Sequence, residues 1–190
     1  MPFTLNPVDQ HLFDRRIVHM SGGVNSRLAY KVNRQLLALE KVDAKKPIYL
    51  FIDSPGGEIN SGFSVFDVAR FIQPPVYTIV AGLAASMGSL IALCAPKERR
   101  FALPNAKLLI HQPLISGVLQ GQASDLEIHA RDIVKTKEKI NRLYAQETGK
   151  PLEVIQKLTD RDKWLDPDEA LELGLISKII KNRSEIAGLE

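Results

Sequence analysis

Between Ile17 and Ile180 the chain alternates short β-branched runs with segments whose apolar residues recur every three or four positions. Ile17-Val18-His19-Met20 reads as a strand closed by Gly22-Gly23. Asn25 or Ser26 can cap a helix whose apolar stripe is Leu28, Val32, Leu36 and Leu39. Pro47 opens a strand from Ile48 to Ile52, and a helix carrying Phe63, Phe66, Ala69 and Ile72 ends before Pro74-Pro75. A strand from Val76, a helix after Ser86 and a strand over Lys107-Leu108-Leu109-Ile110 follow. A long helical pattern covers about Ser124 to Thr148 and stops at Gly149 and Pro151. Asp166-Pro167-Asp168-Glu169 starts another helix with a cap, a proline in the first turn and acids at the positive dipole end. Gly174 ends that helix before a strand from Ile176 to Ile180. This alternation predicts an α/β domain of repeated strand–helix units, with the long helix projecting as an arm.

Val76 to Ala95 carries no charge and, at about 20 residues, has the length of a membrane span. Its texture argues otherwise. Val76-Tyr77-Thr78-Ile79-Val80 is strand-like, and Gly82 with Ser86-Met87-Gly88-Ser89 breaks the run before Leu90-Ile91-Ala92-Leu93. Met1-Pro2-Phe3-Thr4-Leu5-Asn6 lacks the basic-then-apolar order of a signal peptide. With 190 residues, 45% hydrophobic and 25% charged, the make-up is that of a soluble globular protein. The single cysteine, Cys94, sits in an apolar run; it reads as a small buried hydrophobe and suits a reducing compartment such as the cytoplasm. A net charge of +3 is a weak bias, and Lys135, Lys137 and Lys139 interleave with Asp132 and Glu138 as on a solvated helix face. Neither a nucleic-acid surface nor a membrane partner is expected.

Four places could carry chemistry. Ser86 lies at a strand-to-helix switch, Gly82-Leu83-Ala84-Ala85-Ser86-Met87-Gly88, where a sharp turn exposes a hydroxyl and helix amides face an oxyanion. The spacing is half of a G-x-S-x-G elbow, since position 84 is alanine, and a serine capping a buried helix fits as well. His111 follows the apolar strand and precedes Gln112-Pro113, at the edge of a site or as an ordinary edge histidine. Ser54-Pro55-Gly56-Gly57 can aim backbone N–H groups into a cleft or simply turn the chain, and it lacks the Lys-Ser/Thr ending of a phosphate-binding loop. Thr159-Asp160-Arg161-Asp162-Lys163-Trp164 offers two carboxylates, either able to orient a histidine. His11, His19 and His129 have no metal-site spacing.

Taken in order, Ser54-Pro55-Gly56-Gly57, Gly82 to Gly88, Pro104-Asn105-Ala106-Lys107, His111-Gln112-Pro113, Gly121-Gln122-Ala123-Ser124-Asp125 and Asp160-Arg161-Asp162 resemble the signature of the ClpP family, the proteolytic subunits of the Clp protease. The resemblance spans about Val8 to Ile180. It implies a ClpP/crotonase-like fold of repeated ββα units with a protruding handle helix, in one peptidase domain over 1–190 with its handle region at about 112–148. It further implies a serine endopeptidase in which Ser86 matches the nucleophile, His111 the base and Asp162 the residue orienting it. Gly57 and Met87 match the backbone oxyanion donors. No metal or organic cofactor is implied. Members self-associate into two stacked heptameric rings, take unfolded protein from an ATP-dependent unfoldase of the ClpX, ClpA or ClpC type, and in some cases share rings with a second paralogue. Asp160, Arg161, Gln122 and Asp125 match assembly positions, and Tyr49 and Phe51, on one face of a strand, match part of the unfoldase docking pocket.

Three features depart from the pattern. The stretch before Val8 is shorter than the family's axial segment, Leu114–Gln120 makes a loop two residues longer than the commonest one, and Asp53 replaces an asparagine. The last two point to a distinct paralogue type. Rival expectations are an inactive structural subunit of a mixed ring and an acyl-CoA-processing lyase of crotonase fold, which needs no Ser/His pair.

Overall fold

Among the described residues seven strands join one sheet, and the near-continuous apolar runs of the sequence are its central strands, buried on both faces. The computed structural model describes residues 6–114, 122–186 and 188–189. It comprises two compact units, Met1–Leu109 with Trp164–Glu190, and Ile110–Lys163. Met1–Leu5 and all of the Leu114–Gln120 loop except Leu114 lie outside the described residues.

In the first unit, α1 (Pro7–Asp14) leads into β1 (Ile17–Ser21), α2 (Ser26–Val42), β2 (Ile48–Ser54), α3 (Ile59–Phe71), β3 (Val76–Ala85) and α4 (Met87–Ala92). β1, β2 and β3 are neighbours and parallel, as consecutive strand–helix–strand units require. β4 (Arg100–Ala102) continues the sheet beyond β3. β5 (Lys107–Ile110) follows, and after the second unit come β6 (Lys163–Leu165), α7 (Pro167–Leu173) and β7 (Lys178–Ile179), which pairs with β4. Asn25 caps α2, its side chain accepting from Leu28 N–H. α2 buries Ala29, Val32, Leu36 and Leu39, so Ala29 replaces the expected Leu28 on the inner face. The predicted capping box at Asp166 is present, and Gly174 ends α7 in the left-handed conformation. The last strand is shorter than expected because the N–H groups of Leu175 and Ile176 bond back to Ala170 O at the end of α7.

β3 forks the sheet. Its first half pairs with β4 through Thr78–Val80, and its second half pairs with β5 through Leu83–Ala85. Against β2 the register slips: Ile52 faces Val80, but Ser54 faces Ala84. The surplus residues bulge at Gly82 (φ 126), where a Cβ would come within 2.7 Å of Asp53 Oδ1. Leu83 N–H donates to that same oxygen at 3.0 Å. The bulge aims the end of β3, and therefore Ser86, toward β5.

Arg16 is a buried guanidinium at positive φ (58°) between α1 and β1. Its Nε donates to Pro47 O (2.8 Å), Nη1 to Leu39 O (3.0 Å), and Nη2 to Asp43 O and Lys46 O (both 2.9 Å). Burial lowers its pKa, while Asp43 and Tyr49 pull it up. Leu39 O also accepts from Asp43 N–H (3.1 Å), whereas the carbonyls of Asp43, Lys46 and Pro47 lie beyond the end of α2 and take these donors from Arg16. Arg16→Met strands them, at roughly 1–3 kcal/mol per unsatisfied group. We expect urea denaturation to show about 3 kcal/mol less stability, with only a change below 1 kcal/mol contradicting the structural role.

The second unit holds α5 (Ala123–Thr148) and α6 (Leu152–Thr159). α5 ends at Gly149 (φ 73), as the sequence predicts. Its later half buries Ile140, Asn141, Tyr144 and Thr148, while Leu126, Ile128 and Val134 are exposed. Thr159 Oγ1 lies 2.9 Å from Asn141 Oδ1 and 3.0 Å from Ile155 O, tying α6 to α5.

Candidate active site

Ser86 is built by backbone geometry. It sits between β3 and α4 at φ 55 and ψ −121, a region costing an L-residue about 1–3 kcal/mol. Both sides of the turn are fastened. Ser86 N–H donates to Leu109 O on β5 (2.9 Å), and Ser86 O accepts from Ser89 N–H (3.0 Å) and Ser89 Oγ (2.7 Å). The side chain is half-buried between buried Ala85 and Met87. Gly56 packs against the turn so closely that a Cβ there would lie 2.6 Å from Ala85 O and 2.7 Å from Ser86 Cβ. A Cβ on Gly88 would lie 2.9 Å from Ser54 O. Gly56 and Gly88, having no Cβ, let the Ser54–Gly57 loop dock on the serine turn.

That loop is held by Ser54, whose Oγ donates to Gly22 O (2.7 Å) and accepts from Gly56 N–H (3.1 Å). Val24 bridges it in parallel: Val24 N–H donates to Gly56 O and Glu58 N–H to Val24 O, each at 2.8 Å. In such a bridge the intervening residue turns its own N–H the other way. Gly57 (φ 146) is that residue, and a Cβ on it would run into Val24 O. Met87 begins α4, so the helix supplies no acceptor for its N–H.

Within the second unit a histidine and a carboxylate meet. His111 Nδ1 lies 3.1 Å from Asp162 Oδ1, with the imidazole side chain 11% exposed and the carboxylate 61%. A carboxylate only accepts, so the contact favours hydrogen on Nδ1 and a lone pair on Nε2. The loop carrying Asp162 is fixed at its base: Gln112 N–H donates to Thr159 O and Gln112 Nε2 to Asp160 O, both at 2.7 Å. Asp160 turns its carboxylate elsewhere, 4.0 Å from Arg161 Nε. Of the two acids left open by composition, Asp162 is the one that meets His111.

The other predicted site residues fall as follows. Asp160 and Arg161 are exposed; Gln122 starts α5, its carbonyl accepting from Asp125 N–H at 3.0 Å. Among the described residues, Asp125 and Arg161 do not pair with each other. Tyr49 is buried at 1% exposure, and burial pushes its phenol up to about 12. Phe51 is half-buried and stacks on His19, ring centroids 5.3 Å apart. No helix among the described residues is long and apolar enough to cross a membrane; Val76–Ala95 is the strand and short helix expected of it.

A fastened serine turn at positive φ and an imidazole met by a carboxylate are the parts from which serine hydrolases are built. The chain belongs to the Clp protease family, whose model matches residues 4–183. It is 51% identical over 177 residues to the ATP-dependent Clp protease proteolytic subunit 2 of Treponema denticola, covering 93% of this chain and 88% of the relative. It is 46% identical over 179 residues to proteolytic subunit 1 of Protochlamydia amoebophila (94% and 87%), and 46% identical over 173 residues to proteolytic subunit 1 of Chlamydia muridarum (91% and 90%).

Proposed function

We propose that the protein is the proteolytic subunit of an ATP-dependent Clp protease, a serine endopeptidase with Ser86 as nucleophile, His111 as base and Asp162 as the residue that orients it. The observation that carries this reading is the Asp162 contact on His111 Nδ1, in a chain whose only strained non-glycine turn besides Arg16, among the described residues, is at a serine. Ser86 Oγ attacks the peptide carbonyl while His111 Nε2 takes its proton. The C=O electron pair moves to oxygen, which the N–H groups of Gly57 and Met87 stabilise. Collapse breaks the C–N bond, and His111 returns the proton to the leaving amine; water then repeats the sequence on the acyl-enzyme. Asp162 offsets the transient imidazolium charge.

The subunit works in stacked heptameric rings, a homo- or hetero-tetradecamer in the cytoplasm, and takes unfolded polypeptide from a ring-shaped unfoldase that consumes the ATP. Exposed Tyr30, Leu37 and Phe71 on α2 and α3, and Leu126, Ile128 and Val134 on α5, support burial against other copies. Asp160, Arg161, Gln122 and Asp125 serve those contacts, and Tyr49 and Phe51 belong to the unfoldase docking surface. The test is hydrolysis of a fluorogenic peptide by the purified protein, read beside its native mass. Absent hydrolysis by intact rings refutes the assignment.

A further inference from the structure

β3 changes neighbour partway along its length, pairing with β4 up to Val80 and with β5 from Leu83 to Ala85. At the switch a single residue of β2, Asp53, stands opposite Ala81, Gly82 and Leu83, because Ile52 faces Val80 and Ser54 faces Ala84. The Asp53 side chain reaches across this gap. Its Oδ1 accepts from Leu83 N–H at 3.0 Å, and a Cβ on Gly82 would come within 2.7 Å of the same oxygen and 3.0 Å of Cγ. Gly82, at φ 126, therefore lets the carboxylate close on the strand.

The backbone of Asp53 is held from the other side. Ser21 on β1 is its register partner, and its carbonyl accepts from Gly22 N–H at 2.9 Å. Ser54, next in the chain, donates from Oγ to Gly22 O at 2.7 Å. The carboxylate thus projects from a fastened strand and grips a second one. Beyond Leu83 the chain runs to the serine with little slack: Ala84 and Ala85 are buried opposite Leu108 and Leu109, and Ser86 N–H donates to Leu109 O at 2.9 Å. A shift at Leu83 is carried along this run to the hydroxyl.

We propose that Asp53 is a positioning residue for the nucleophile, setting where β3 passes from β4 to β5 and thereby where Ser86 stands. The role of Ser86 rests on the function proposed above; the grip on β3 rests on the geometry alone. What acts is the place of the acceptor oxygen rather than its charge. Asp53 is exposed, and the amide oxygen of asparagine accepts the same N–H. Water can satisfy the Leu83 N–H in place of the carboxylate, but water is not fastened to β2. Losing the side chain therefore costs position more than stability.

The test compares Asp53→Ala, Asp53→Asn and Asp53→Glu in rings of wild-type mass. Asp53→Ala should lower kcat for a fluorogenic peptide about 10²-fold with KM little changed, since a small misplacement of a reacting group costs that much. Labelling of Ser86 by a serine-directed reagent should slow in parallel, and the thermal midpoint should stay within a few degrees. Hydrogen exchange over Ala81–Ala85, followed by mass spectrometry, should quicken several-fold. Asp53→Asn should rescue both kcat and exchange, whereas Asp53→Glu, which keeps the charge but moves the oxygen, should recover less. Unchanged exchange in Asp53→Ala overturns the grip on β3. Faster exchange with wild-type kcat, or a loss confined to KM, overturns the positioning step. If Asp53→Ala does not assemble, the other pair decides: Asp53→Asn no more active than Asp53→Glu overturns the proposal. Absent hydrolysis by the wild-type rings strikes the peptidase reading alone and leaves the exchange result standing.

Discussion

Ser86→Ala is expected to lower peptide hydrolysis about 10⁶-fold and to abolish covalent labelling by a serine-directed reagent, because the members of a triad act as a unit. The surroundings leave little room for a substitute. Ser89, three residues on, is 1% exposed with Oγ committed near Ser86 O and Leu109 O, and Cys94 is 2% exposed. Label appearing on either would move the nucleophile. The loss should not come from misfolding, since Leu109 O and the amides of Ser89 and Leu90 hold the backbone of residue 86 rather than its hydroxyl. Ser86→Gly sharpens the point. Glycine accepts φ 55 and ψ −121 without the Cβ clash, so this variant should be more stable by about 1 kcal/mol and equally inactive. Stability rising as activity vanishes is the signature of strain held for function. A Ser86→Gly protein that unfolds more easily than wild type would show that the turn is not strained.

Much of this site was readable from residue types because its demands are local. A serine between a β-branched run and a small-residue helix, a Ser-Pro-Gly-Gly loop and a histidine closing an apolar strand each announce a turn or an edge. What composition could not settle was long-range. Asp160 and Asp162 are equivalent as letters; Gln112 separates them by bonding the loop at Thr159 and Asp160, which presents Asp162, two residues on, to His111. α6 escaped the periodicity reading because it is eight residues long and buries only Ile155 and Thr159, the latter through Asn141 on another helix. β4 and β6 are three residues each, too short for alternation to register. α1 buries no residue at all, so its pattern has no inner face to betray it. The bulge at Gly82 was legible only as a glycine; the partner that meets it, Asp53, lies far back in the chain and accepts from Leu83 N–H.

The paired substitutions Asp162→Asn and Asp160→Asn carry the second large effect. Asp162 holds hydrogen on His111 Nδ1 by offering only acceptors; asparagine can turn its amide and donate instead, placing the hydrogen on Nε2 where the serine proton must go. The expected loss in kcat is about 10³- to 10⁴-fold with KM little changed, measured on rings of wild-type mass. Charge alone would not produce so much. The Asp162 side chain is 61% exposed, and an exposed ion pair is worth only about 0–1 kcal/mol, less than tenfold in rate. The tautomer must therefore supply the rest, and the defect should persist in high salt, which screens charge but not hydrogen-bond direction. Asp160→Asn offers the contrast. Its backbone carbonyl, not its carboxylate, receives Gln112, and among the described residues its side chain meets Arg161 at 4.0 Å, so assembled rings should keep nearly full activity. Equal losses in the two variants, per assembled ring, would undo the choice of Asp162; a loss from Asp162→Asn that vanished in high salt would make its role electrostatic rather than orienting.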